Sequence, residues 1–348
     1  MTNKLPEQYT QYTQFKEWLF TAAQLKQIRE DIHNSTIEKI KKNIGEEKEL
    51  AQQANDTKTF DRLNELDFSK LETDLSLKNC LETIAYFEAF LTKLPNLNIS
   101  IQNTALIYFK RFYLKKSILD FNPKQMGVIC IYLASKVENL PLPINHEYFA
   151  LTKLTSKNEI EKLELILAEA LNFDLYVLKA DRALFGLYLD IQAVGIDLIM
   201  LERTIYAEAQ QCWNVVQFTD LPLKFPPSIL ALFCFQEAFA KSDQTTFFNK
   251  YLRHIFKADY EAKSERYNKQ CAEIKEDYET RLALPLLDGS SRYSRDIASQ
   301  VTKLIKKYEN PAINQGSHLF KSIRDRFESK FGFKKGYDKK DAEAFFNS

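Results

Sequence analysis

The segment 122–143, NPKQMGVICIYLASKVENLPLP, constrains the fold more than any other, because it is an almost wholly apolar helix that ends in one lysine. Asn122 is placed to cap it, Pro123 sits in its first turn, and Pro141 and Pro143 bar its continuation. Met126, Ile129, Cys130, Leu133, Ala134 and Val137 follow the i, i+3, i+4, i+7 rhythm of a buried face. Val128, Ile131 and Ser135 leave little polar surface elsewhere, so the helix must be wrapped by others. Lys136, in its last turn, is the residue this setting leaves unexplained.

The rest of the chain reads as helical too. Only 8 glycines occur in 348 residues, well under the usual ~7%. That scarcity argues against Gly-rich phosphate loops and elaborate β architecture. The length suffices for two domains with adequate cores, and 26 Phe with 17 Tyr favour large, aromatic-filled helix packing. Helices are expected at 77–94, 99–116, 123–139, 144–153 and 157–171. A second series, at 181–192, 198–217, 226–240, 245–255 and 292–308, repeats the order and spacing with little residue identity. Within it FPPSILALFCFQEAF, Phe225 to Phe239, reprises the central buried helix with prolines at its start. The fold class expected is all-α, two five-helix sets in a degenerate duplication. The charged stretch 257–281 reads as an insert, although Tyr260, Tyr267, Cys271, Ile274 and Tyr278 would form a stripe on it.

Outside both series, a helix is expected from Ala22 past Ile32, with Leu25, Ile28 and Ile32 on one face. Residues 41–58 read as a solvated helix or linker. Leu319 to Phe327 is amphipathic, and a Lys-rich end follows with Lys334, Lys335, Lys339 and Lys340, a nuclear signal or a solvated tail. The apolar stripes of Trp18 to Ile32 and Leu319 to Phe327 are expected to dock on the first series or on each other.

Chemistry-bearing motifs are missing. His33, His146, His254 and His318 have no partner at metal-ligand spacing, and there is no C-x-x-C pair, P-loop or nucleophile elbow. No catalytic residue, metal or cofactor is expected. The net charge of +1 argues against direct nucleic-acid binding. Cys80, Cys130, Cys212, Cys234 and Cys271 are odd in number and widely spaced, as in a reducing compartment. With no secretory leader and no membrane-length apolar run, a soluble chain without a membrane partner is expected.

Two charged residues stand out by geometry. Lys136 lies at the edge of the Met126 to Val137 stripe, and Glu164 falls near the line of Ile160, Leu163, Leu167 and Leu171. Two readings are open for each. Either it snorkels or pairs inside the fold, or it faces a partner.

Several motifs resemble the cyclin family. LASKVEN, Leu133 to Asn139, resembles the end of the third helix of a cyclin box, and ALIYFKRFYL, Ala105 to Leu114, the helix before it. ALNFDLYVLKADRALFGLYLDI, Ala170 to Ile191, and LIKKYENP, Leu304 to Pro311, are most similar to cyclins of the H kind, and the resemblance covers roughly Trp18 to Pro311. It implies an N-terminal arm and helix at 1–74, a first cyclin box at 75–180, and a second at 181–309 with the charged insert at about 257–290. A C-terminal helix and tail would occupy 310–348.

The resemblance also implies a non-catalytic activator of a cyclin-dependent kinase, working in the nucleus. Its partners would be a kinase of the CDK-activating class, a RING-finger assembly subunit and the core of general transcription factor IIH. The kinase-binding residues carried over are Lys136, Val137, Glu164, Phe173 and Leu175. For Phe173 and Val137 ordinary packing is the competing reading. Only the first box would bind, since Phe235, Gln236 and Glu237 stand where a second lysine would be needed. One departure is Lys110, in place of the aspartate that pairs with an arginine in cell-cycle cyclins. Glu82 is a candidate swapped partner, a solvated lysine the alternative, and docking of Arg-x-Leu substrates is in doubt. Alternatives are a transcription-type cyclin of the C, K or T kind, or a two-box factor of the IIB type, which would be expected to show a zinc ribbon and a basic surface.

Overall fold

The computed structural model describes residues 11–143, 147–152, 154, 156–283 and 292–331, so the Lys334 to Lys340 cluster and His146 lie outside it. Every regular element among them is helical. In chain order these are α1 (Thr13–Glu17), α2 (Ala22–Gln53), α3 (Thr57–Asn64), α4 (Phe68–Asp74), α5 (Leu77–Thr92), α6 (Ile99–Phe112), α7 (Pro123–Val137), α8 (Glu147–Thr152) and α9 (Lys157–Ala170). Next come α10 (Ala180–Gln192) and α11, which joins Leu198–Met200, a π-helical stretch Leu201–Tyr206 and Ala207–Val216. The series ends with α12 (Pro227–Lys241), α13 (Thr245–Phe256), α14 (Tyr260–Ala283), α15 (Arg292–Lys307) and α16 (His318–Phe331). No helix among the described residues is long and apolar enough to cross a membrane.

The chain divides into two compact units, one of residues 23–175 with 287–348 and one of residues 1–22 with 176–286. In the first, α7 is the hub, packed by α5, α6, α8 and α9. Gly127 lets α5 approach closely, since a Cβ there would meet Leu91 Cδ2 at 2.6 Å. In the second unit α12 is the hub, packed by α10, α11, α13 and α14 around Phe233, Phe235 and Phe239.

The stripe expected on the charged stretch forms: α14 buries Tyr267, Cys271, Ile274 and Tyr278 in the second core, with Tyr278 edge-on to Phe233 at 5.6 Å. Lys224, buried, ties it down through Asp277 at 2.9 Å and Glu273 at 3.3 Å. α14 therefore supplies the fifth helix of the second set. Helix 292–308, expected in that role, is α15 and packs on α5 in the other unit. Tyr308 donates to the Asp67 carbonyl at 3.0 Å, and Asn310 to Asp120 Oδ1 at 3.1 Å. Of the two readings of residues 41–58, the helix holds over 41–53, which continue α2; that helix buries Ile37, Ile40, Ile44 and Ala51 at helical spacing.

The stripes at the two ends dock separately. Trp18 is buried in the unit of residues 176–286, where Phe20 N–H donates to the Leu223 carbonyl at 2.8 Å. α2 meets α16 not through the stripe 18–32 but further along, at Glu47. Buried Glu47 of α2 accepts from the amides of His318 at 2.9 Å and Leu319 at 2.6 Å, capping α16.

Candidate functional site

The site is built where α7 and α9 end. Asn122 caps α7 by accepting from Lys124 N–H at 2.9 Å, and Met126 to Ser135 are buried without a break. The helix closes with Asn139 in the left-handed region, φ 58°, and Leu140 N–H donating to the Ser135 carbonyl at 2.9 Å. Ser135 Oγ also accepts from Leu142 N–H at 3.1 Å, which turns the chain toward Pro143. That stop leaves Lys136 at the rim.

Lys136 Nζ lies 2.6 Å and 2.8 Å from the two Glu164 oxygens and 4.2 Å from the Tyr132 ring centre. Burial pulls the Lys136 ammonium pKa down, but the Glu164 carboxylate and Tyr132 outweigh it, so the value is raised. The Lys136 side chain is 40% exposed and that of Glu164 17%, so the pair sits at the surface rather than in the core. The two charges pair within the chain, at its surface. Beside them Glu138 accepts from Ser100 Oγ at 2.7 Å and Thr104 Oγ1 at 2.6 Å, fixing α6 to the end of α7. Val137 is half-buried.

After α9 the chain turns through Asn172 and Phe173. The Phe173 ring is 64% exposed, which excludes core packing for it, while Leu175 is half-buried. Arg111, 1% exposed, reaches Asp174 Oδ2 at 3.6 Å, and Tyr108 donates its hydroxyl to the Leu175 carbonyl. Sequence reasoning did not single out Tyr108, Arg111 or Asp174. The only signal was an arginine within an apolar helix.

Lys110 is neither solvated nor paired with Glu82. It is buried, with Glu88 Oε2 at 2.6 Å. Six residues separate Glu82 from Glu88, about 240° around the helix, so only Glu88 shares the buried face. In the second set Phe235 is buried, Gln236 accepts a weak Sγ hydrogen bond from Cys271 at 3.6 Å, and Glu237 faces Lys275 at 3.5 Å. Phe235 stacks on Tyr206 of α11, while Gln236 and Glu237 are paired with residues of α14. Among the described residues no cluster of His, Cys, Asp and Glu could hold a metal ion.

Residues 62–176 match the family of the cyclin N-terminal domain. A Dictyostelium discoideum protein named as a cyclin-H is 30% identical over 234 residues, covering 65% of this chain and 74% of that one. A chain in the CAK complex of Chaetomium thermophilum bound to ATP-γ-S superposes with a TM-score of 0.71 at 20% identity, covering 98% of this chain and 99% of that one. A chain of the yeast TFIIK complex gives 0.57 at 21% identity, covering 78% and 100%.

Proposed function

We propose, from the premise that this chain belongs to the cyclin family as a cyclin of the H kind, that it binds and activates a kinase through the surface formed by Lys136, Val137, Glu164, Phe173 and Leu175. It is a regulatory subunit, not an enzyme. What supports the choice of surface is one observation: a lysine in the last turn of α7 and a glutamate midway along α9 meet at the rim, in the same unit as a phenylalanine that is mostly exposed.

The mechanism is conformational bias. A protein kinase is competent when its αC glutamate pairs with the strand lysine that holds the ATP phosphates. A rigid surface that binds only the inward αC state shifts the equilibrium by its differential affinity. Moving a kinase from ~1% to ~99% competent requires about 5.5 kcal/mol, within reach of a standard-size interface with a desolvated centre. On binding, Lys136 and Glu164 exchange part of their mutual pairing for backbone groups of the kinase.

The partner is a kinase of the CDK-activating class, acting in association with transcription factor IIH, as the CAK and TFIIK complexes of the structural neighbours suggest. A RING-finger assembly subunit as third component and a nuclear location complete the reading. Affinity purification of the full chain with identification of the bound kinase tests it. Recovery of a CDK-activating kinase is expected, and recovery of promoter DNA or of no kinase would overturn it.

A further inference from the structure

Among the described residues four helices end in the same hydrogen-bonded cap, and one of them goes a residue further. After α2, α7, α9 and α12, a left-handed residue follows the last turn: Asn55 at φ 54°, Asn139 at 58°, Asn172 at 53° and Asp243 at 53°. In each case the next amide reaches back five residues, from Asp56 to Ala51, Leu140 to Ser135, Phe173 to Ala168 and Gln244 to Phe239, at 2.8–2.9 Å. Asn and Asp tolerate this conformation because their short polar side chains bond locally. After three of the caps the chain returns at once to ordinary backbone, with φ −84° at Asp56, −105° at Gln244 and no positive φ at Leu140.

After α9 it does not. Phe173 is itself left-handed, φ 57°, which is unfavourable for a bulky residue. The apolar residue at this place in such a cap ordinarily folds back on its helix. Here the ring is 64% exposed. Strain of this kind persists only where the surroundings over-determine it. Those surroundings are two residues one turn apart on α6. Arg111 lies at ion-pair distance from the carboxylate of Asp174, 3.6 Å, and its Nη1 donates a long hydrogen bond to the Asp174 carbonyl at 3.5 Å; the buried Tyr108 hydroxyl donates to the carbonyl of Leu175. Burial raises the Tyr108 pKa, so the hydroxyl stays protonated and donates.

We propose that Tyr108, Arg111 and Asp174 are positioning residues that lock the 172–175 turn, holding the Phe173 ring outward as a preformed anchor for the kinase. The inference rests on the kinase-binding surface proposed above. Its benefit is pre-organisation: a loop already ordered loses less freedom on binding.

A double-mutant cycle on the full chain separates the lock from the surface. Wild type, Tyr108→Phe, Phe173→Asn and the double variant are titrated with the recombinant catalytic subunit of a CDK-activating kinase, and each is melted alone. Phe173→Asn is expected to weaken binding by roughly 30-fold or more while leaving Tm unchanged or higher, since Asn accepts the left-handed backbone. Tyr108→Phe should weaken binding by about fivefold, and should add nothing once Phe173 is replaced. An equal loss from Tyr108→Phe in both backgrounds would overturn the lock and leave the surface standing. Wild-type affinity for Phe173→Asn would overturn the surface itself, and a fall in its Tm would mean that the ring is packed, not presented.

Discussion

Helices α7 and α12 each run through the middle of a five-helix set, each opens on proline, and each is buried along most of its length. They part company toward their C-terminal ends. Around Phe235 every side chain of α12 is engaged by its own unit: Phe235 in the core, Gln236 with Cys271, Glu237 with Lys275. At the end of α7 the exposed charge is engaged by Glu164 and by the face of Tyr132, at the rim of the same unit. Each hub thus carries one partly exposed ion pair, and the difference is where the exposed lysine stands: Lys136 on the hub helix itself, Lys275 on α14.

The comparison can be broken first at its buried charges. Lys110→Ala strands Glu88 in the core of the first set, and a loss of about 3–5 kcal/mol is expected. A urea titration measures it, and a joint Lys110→Met, Glu88→Leu change should recover most of the loss. Next in size is the claim that α14 closes the second set. Ile274, fully buried, should cost about 2–5 kcal/mol on change to Ala. A true insert would show almost no change in the unfolding midpoint.

A pH series sharpens the account of the first unit's ends. Thr59 and His318 hold the Asp56 carboxyl down from an ordinary 3.8 to about 2. A depressed carboxyl pKa stabilises the fold above the unfolded value, and that stability is lost as pH falls from about 4 toward 2. Asp56→Asn should flatten the acid limb of a Tm-against-pH curve. The smallest effect is expected at the rim. Lys136→Ala with Glu164→Ala should cost under about 1 kcal/mol of stability, because a partly exposed pair is screened by water.

The sequence made α7 legible because caps, prolines and all-round apolarity agree there. The stripe of α14 was legible but its place in the second core was not, for the opposite reason. Its buried stripe is four residues wide on an otherwise charged helix, and local composition outweighs so narrow a face. The allegiance of α15 was not legible either, since an amphipathic stripe does not say which core it will join. In the site, Lys136 and Glu164 were visible as charges at apolar-face positions. The Arg111 and Asp174 pair was not, because it joins residues 63 apart, and Glu88 was passed over for a carboxylate on the wrong side of its helix.

The account stands on the rim pair being needed by a partner and not by the fold, and the Lys136→Ala,Glu164→Ala double variant measures both at once. Truncating charges at a desolvated interface centre costs roughly 2–5 kcal/mol each, so kinase affinity and activation should fall steeply in a titration with a CDK-activating catalytic subunit. The melting curve should hardly move. Wild-type binding and activation, or a variant that unfolds, would contradict the account and make the pair an internal brace.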